Sequence, residues 1–236
     1  MSTVLITTAN NPPHSVPHLA LTNVALRVVS AQAAALMWAS MGIRNLVIAD
    51  ATGSTLLDRD QLFWLKELGI DVEQLAYNQD RDLIVRMGKG RGEGLLLEYA
   101  LNNSRILSSV DNFFKCTGKV YCRNFASIVD LIQQRGIKNW YWRHFDQGAG
   151  MDATWADTRF FYTQVSFARS IIVPAYLNAD DYKVAAEHCC YNVLESNLPR
   201  VNSIRSRLSG LAGGSGLMYS EADLGYLDSS YPCWIN

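Results

Sequence analysis

The sequence is poor in the features that would send a chain into a membrane, out of the cell or onto nucleic acid. No apolar run reaches the roughly 18 residues that span a bilayer, and the stretch 31–41 is short and broken by Ser40. The opening Met1-Ser2-Thr3-Val4-Leu5-Ile6 has neither the basic region nor the long apolar core of an export leader. A formal net charge of −1 offers polyanions no basic footprint, so no nucleic-acid partner is expected. Five cysteines form no C-x-x-C pair, and with four histidines they build no zinc signature. Their odd number favours free thiols in a reducing compartment. The adjacent Cys189-Cys190 suit packing better than ligation. These gaps predict a soluble protein without a transmembrane segment, cytoplasmic or peripheral at the inner face of the membrane.

The common nucleotide and hydrolase fingerprints are missing as well. A dinucleotide-binding fold would carry G-x-G-x-x-G directly after its first strand, where this chain has Thr7-Thr8-Ala9-Asn10. Neither glycine-rich segment completes a Walker A loop. Gly213-Gly214-Ser215-Gly216 only approaches G-x-S-x-G and follows no strong strand.

What is present is a globular composition of 236 residues, 49% hydrophobic and 18% charged, enough for one large α/β domain or two small ones. Val4-Leu5-Ile6-Thr7-Thr8 reads as a buried strand halted by Asn10-Asn11-Pro12-Pro13. Residues 21–41 predict a long helix ended near Gly42. Asn45-Leu46-Val47-Ile48-Ala49 is a second strand that delivers Asp50 and the turn Thr52-Gly53-Ser54. Asp58 and Gln61 match a capping box for a helix through Leu68, with Gly69 at its end. A third strand over 70–75, a helix through Leu101 and a strand into Phe114 complete a β-α-β-α-β rhythm. That rhythm implies a mainly parallel sheet with helices on both faces. Ligands of such sheets gather at the carboxyl ends of the strands. The second half is less regular: a helix over 127–134 closed by Gly136, an aromatic strand over 138–145, and a loop over 146–152. Asp157-Thr158-Arg159-Phe160-Phe161-Tyr162, a helix over 179–195, a glycine-rich loop over 210–216 and a tail with Tyr226, Tyr231 and Trp234 follow.

Two basic segments carry the chemistry. Gly88-Lys89-Gly90-Arg91-Gly92-Glu93-Gly94 alternates glycine with polar residues before an apolar helix. Such a run lets backbone approach a ligand closely, and a helix start beneath it favours phosphate. A flexible, solvated basic loop fits the same residues. Lys115-Cys116-Thr117-Gly118-Lys119 places two further cations around a Thr-Gly corner. Together they point to an anionic, phosphorylated ligand.

The arrangement resembles the GT-A class of nucleotide-sugar glycosyltransferases over about residues 4–125. The small polar end of the first strand, Asp50-Ala51-Thr52-Gly53-Ser54-Thr55 after the second, and the basic helix opening at Lys89 each match in position. Lys115-Cys116-Thr117-Gly118-Lys119-Val120, with Asn124 downstream, is similar to the Lys-x-Thr-Gly-Arg-Tyr-type motif of bacterial polysaccharide and lipopolysaccharide glycosyltransferases. One departure matters: the Asp-x-Asp that holds a divalent metal in many GT-A enzymes is replaced at its usual place by Thr117-Gly118-Lys119. Hard cations want paired carboxylates there. The expectation is therefore metal-independent transfer, with cations neutralising the leaving group.

The resemblance implies a single glycosyltransferase-like domain over 1–236, its 1–125 half binding nucleotide and its 126–236 half closing over the acceptor. The partners it implies are a nucleotide-sugar donor, serving as co-substrate with no cofactor, and a glycan or lipid-linked glycan acceptor. Thr8, Asn10, Asp50, Lys89, Gly90, Lys115, Thr117, Gly118 and Lys119 are the expected donor-binding residues. Asp157, Arg159 and Glu187 are the expected catalytic ones, since a base must reach the acceptor hydroxyl. Asp50 also fits a turn-former, Glu93 a helix-start carboxylate, Asp157 with Arg159 a structural ion pair, and Glu187 a helix-surface residue. His144 and His188 are weak candidates for bases. A non-catalytic nucleotide- or glycan-binding protein on the same fold is the alternative function.

Overall fold

The computed structural model describes residues 2–146, 153–197, 206–211, 216 and 218–219. Strands β1 (Thr3–Thr8), β2 (Asn45–Asp50), β3 (Asp71–Ala76) and β4 (Asn112–Thr117) run parallel in the order β3-β2-β1-β4. The sheet continues through β7 (Ala153–Gln164), antiparallel to β4, to β6 (Trp140–Asp146), antiparallel to β7. This is the mostly parallel, Rossmann-like α/β sheet that the sequence predicts. A second sheet joins β5 (Val120–Cys122), β8 (Leu208–Leu211) and β9 (Met218–Tyr219).

Both faces of the main sheet are covered, which explains why its strands read as continuous apolar runs. Val4, Ile6, Leu46, Ile48 and Phe114 point to one side, under α1 (Val24–Ser40), α2 (Arg59–Glu67) and α6 (Phe125–Arg135). Leu5, Val47, Ala49 and Phe113 point to the other, under α4 (Lys89–Asn103), α5 (Arg105–Ser108), α8 (Val173–Leu177) and α9 (Ala186–Asn197). α3 (Arg81–Met87) leads into α4, and α7 (Val165–Phe167) passes through a π turn over Ala168–Ile172 into α8. Among the described residues no helix is long and apolar enough to cross a membrane.

Local chemistry sets several boundaries. Asn23 caps α1 by accepting from the Leu26 amide, so the helix starts three residues later than the apolar run suggests. The Asp58/Gln61 capping box forms, and Gly69 follows α2 with φ +76°. Gly136 closes α6 in the left-handed region. The helix expected over 179–195 begins only at Ala186, because Asp180 folds the chain into a turn by accepting from Tyr182 N.

The glycine run needs a correction. It is not a loop: α4 begins at Lys89, so Gly90, Gly92 and Gly94 lie inside the helix. A Cβ on Gly94 would stand 2.5 Å from Tyr176 Cβ, and one on Gly90 2.9 Å from Ala186 Cβ. Gly94 lets α8, and Gly90 lets α9, pack against α4, while Gly90 and Gly92 also border a cavity. The expected loop 146–152 lies outside the described residues from 147 onward, as do 212–215 of the second glycine loop and the tail aromatics Tyr226, Tyr231 and Trp234.

Candidate functional site

A cavity of about 370 Å³ opens where β1 and β4 end, at the place where the strand order reverses direction from β1. Thr7, Thr8, Thr117 and Lys119 form its strand side. Lys89, Gly90 and Glu93 of α4 and Glu187 of α9 form the helix side. β7 pairs with β4 only from Phe160 onward, so Thr158 and Arg159 project past the end of β4 and reach the same space.

The floor is a buried ion pair. Lys115 is fully buried and donates to Thr158 O (2.6 Å) and Thr117 Oγ1 (3.2 Å), with Glu93 Oε1 at 2.5 Å from its ammonium. Thr7 Oγ1 also donates to Glu93 Oε1, at 2.8 Å. Burial pushes the Glu93 carboxyl up, but the Lys115 charge and these hydrogen bonds outweigh it and hold it below its ordinary value.

Lys119 differs from Lys115. It is 6% exposed, lines the cavity, and has no hydrogen bond or ion pair among the described residues. Burial first, then the neighbouring Arg27 and Lys89 charges, push its ammonium down to about 8, against the pull of Glu93 and Asp50. Arg27 is equally buried, its guanidinium donating to Ala9 O and Leu21 O at 2.8 Å each. Two buried cations thus face one space, and neither makes an ion pair with a carboxylate among the described residues, which favours an anionic guest.

The expected site residues divide. Thr8, Lys89, Gly90, Thr117, Lys119, Arg159 and Glu187 come together on the cavity wall. Lys89 is exposed at the mouth and donates to His18 O at 3.3 Å. Lys115 is one layer beneath. Asp50 is 1% exposed and takes the turn-forming alternative. Its Oδ2 accepts from Thr8 Oγ1 (2.8 Å) and Asn10 N (2.9 Å), its Oδ1 from Thr52 N (2.8 Å) and Ser54 Oγ (2.9 Å). Asn10 is buried beside it and donates to Ser54 Oγ. Gly118 brings β4 against β1: a Cβ there would stand 2.3 Å from Thr8 Cγ2. Asp157 is 2% exposed and engages Arg159 through both oxygens, so it positions that guanidinium instead of facing the cavity. Arg159 in turn lies over the Tyr219 ring at 4.9 Å.

Three further wall residues have little signal in the sequence. Arg27 is a lone charge inside an apolar helix, a pattern that could have marked it. Asp181 is brought to the wall by the turn before α9, where it accepts from Gly90 N at 3.3 Å. Tyr219 comes from the second sheet.

The chain contains two Asp-x-Asp triplets away from the central strand, Asp58-Arg59-Asp60 and Asp80-Arg81-Asp82. Both open helices: Asp58 accepts from Gln61 N, and Asp80 from the amides of Asp82 and Leu83. At the end of β4 the donors are a hydroxyl, a glycine and an ammonium, which do not fit a divalent cation. Among the described residues no group of three or more His, Cys, Asp or Glu could hold a metal ion.

No family model and no curated protein matches this sequence. Solved structures with a similar chain path include core-mannan synthase A from Aspergillus fumigatus in its Mn/GDP form, at 10% identity and TM-score 0.45, covering 82% of this chain and 69% of that one. Another is 4-diphosphocytidyl-2C-methyl-D-erythritol synthase from Anaerococcus prevotii, at 8% identity and TM-score 0.40, over 97% and 95% of the two chains. The 2-C-methyl-D-erythritol 4-phosphate cytidylyltransferase of Francisella tularensis follows at 12% identity and TM-score 0.37, over 98% and 100%. Identities and TM-scores this low carry no argument about activity.

Proposed function

We propose that the protein transfers a glycosyl group from a nucleotide-sugar donor to a hydroxyl acceptor, a glycan or lipid-linked glycan of the kind found in bacterial surface polysaccharide. The observation that carries this reading is Lys119: a buried ammonium beside Arg27 with no partner among the described residues, at the carboxyl ends of β1 and β4. A diphosphate leaving group supplies the negative charge that these two cations lack. In the transfer, the acceptor oxygen forms a bond to the anomeric carbon, the bond from that carbon to the phosphate oxygen breaks, and the nucleotide leaves with the electron pair. Lys119 and Arg27 neutralise the charge that develops on it. Glu187, whose Oε1 accepts from Thr158 Oγ1 at 3.3 Å, is a cavity carboxylate outside the buried ion pair and the residue we assign to taking the acceptor proton. Since the strand-end donors do not fit a metal, the reaction runs without one, in a chain working as one unit at the cytoplasmic side.

The test is turnover of a panel of UDP-, GDP-, CMP- and dTDP-sugars by the parent protein and by Lys119→Met, with and without EDTA. The reading requires donor cleavage by the parent that survives EDTA and falls about tenfold or more in the variant, the scale of one charge-assisted hydrogen bond. The helix-filled glycine run and the absence of paired carboxylates at the end of β4 favour a second reading, a nucleotide- or glycan-binding protein without turnover. Nucleotide binding without cleavage of any donor would select it.

A further inference from the structure

Three carboxylates share the cavity wall with Lys119, Arg27, Lys89 and Arg159. Glu93 commits only one oxygen to the floor: Oε1 receives Lys115, Thr7 and Thr117, while Oε2 has no hydrogen bond among the described residues. The Glu93 side chain keeps 23% of its surface accessible, and that surface is in the cavity. Glu187 likewise uses Oε1 toward Thr158 and leaves Oε2 unused. Asp181 stands beside them on the same wall. Glu93 and Lys119 sense each other's charge, yet no ion pair joins them. The buried, unpartnered Lys119 ammonium makes this more than an acidic patch, because one ligand must satisfy both signs.

We propose that the cavity reads its ligand at two poles, phosphate at Lys119 and Arg27, and hydroxyl or amino groups at Glu93 and Glu187, so that it accepts neutral or amino-sugar donors and rejects carboxylated ones. The inference rests on the transferase reading above and adds to it the class of sugar. An ionised carboxylate only accepts hydrogen bonds. A sugar hydroxyl or ammonium supplies the missing proton, whereas a uronate or sialate brings a second anion with none. Lys115 keeps Glu93 in the anionic form required, and the Thr7 and Thr117 hydroxyls aim it.

The experiment compares matched donors that differ only in the sugar: UDP-glucose with UDP-glucuronate, dTDP-glucose with dTDP-glucuronate, and GDP-mannose with GDP-mannuronate. Binding is read by calorimetry and thermal shift. For the base that binds, the neutral donor is expected to bind about tenfold or more tightly than its acid, the cost of one uncompensated charge contact. Glu93→Gln should narrow that gap, and binding of the free nucleoside diphosphate, measured beside it, separates any change at the phosphate pole, since Glu93 also pulls the Lys119 ammonium up. Because Glu93 also pairs with Lys115, a ligand-free melt checks that the variant is folded. If it is not, Glu187→Gln, outside the ion pair, must narrow the gap instead. Equal binding of neutral and acidic donors, preference for the acid, or a gap that neither carboxylate variant narrows would overturn the inference and leave the transferase reading standing. Binding of no nucleotide or nucleotide-sugar overturns both.

Discussion

Lys115 and Lys119 are four residues apart on one short motif, and their surroundings give them opposite work. Lys115 is matched by Glu93 at 2.5 Å and belongs to the interior. Lys119 is buried without a partner among the described residues, so folding it as a cation costs free energy that a phosphate would recover. This gives a pH prediction with a definite sign. The folded ammonium is pushed from 10.5 down to about 8 by burial, so the penalty is full below about pH 8 and fades as pH rises toward the ordinary lysine value. Lys119→Met should therefore be more stable than the parent at pH 7, by about 1–3 kcal/mol. The gap should close between about pH 8 and 10.5 in parallel urea melts. Nucleotide affinity of the parent should move the other way, falling as pH passes upward through about 8. A variant less stable than the parent at pH 7 would remove the unpaired-cation argument.

At the scale of elements, α4 shows how a glycine pattern changes meaning once neighbours are known. Alternating glycines weaken a helix by roughly 1 kcal/mol each relative to alanine, yet this helix forms. It forms because Tyr176 and Ala186 press where a Cβ would be. Gly94→Ala should therefore destabilise the protein by about 1–3 kcal/mol despite its better helix propensity, since overpacking outweighs the propensity gain. Thermal unfolding checks this; a rise in melting temperature would mean that α8 can move away from α4. Capping residues were easier to read than packing residues. The Asp58/Gln61 box and Gly69 act over a few neighbouring residues, so their pattern is visible in sequence. Arg27 reaches Ala9 O and Leu21 O only because the segment before α1 folds back over it, which no local pattern reports.

For the whole molecule, the proposed site makes stability depend on its ligand. A nucleotide-sugar bound at about one hundred times its dissociation constant should add about 2.7 kcal/mol to unfolding. That corresponds to several degrees in melting temperature for a chain of this size. If Lys119 and Arg27 supply the charge, the shift should be the same in EDTA. A shift that appears only with Mn²⁺ would point to a metal site that the sequence reading does not anticipate.

The sequence by itself determined the class of fold and where chemistry would gather. Buried parallel strands demand apolar runs, crossovers demand helices, and strand ends are where polar residues can stand; all three are short-range or compositional constraints. It also placed the chemical interest on Lys115-Cys116-Thr117-Gly118-Lys119. Only the tertiary structure decided which of those lysines faces the cavity, because that depends on Glu93 arriving from α4, twenty-two residues earlier in sequence and 2.5 Å away in space. It decided as well that Asp50 ties β1 to β2, that Asp157 positions Arg159, and that the glycine run lies inside a helix packed against α8 and α9. Each of these turns on which partner takes a side chain's charge or fills the space beside a backbone, and those partners come from segments distant in the chain.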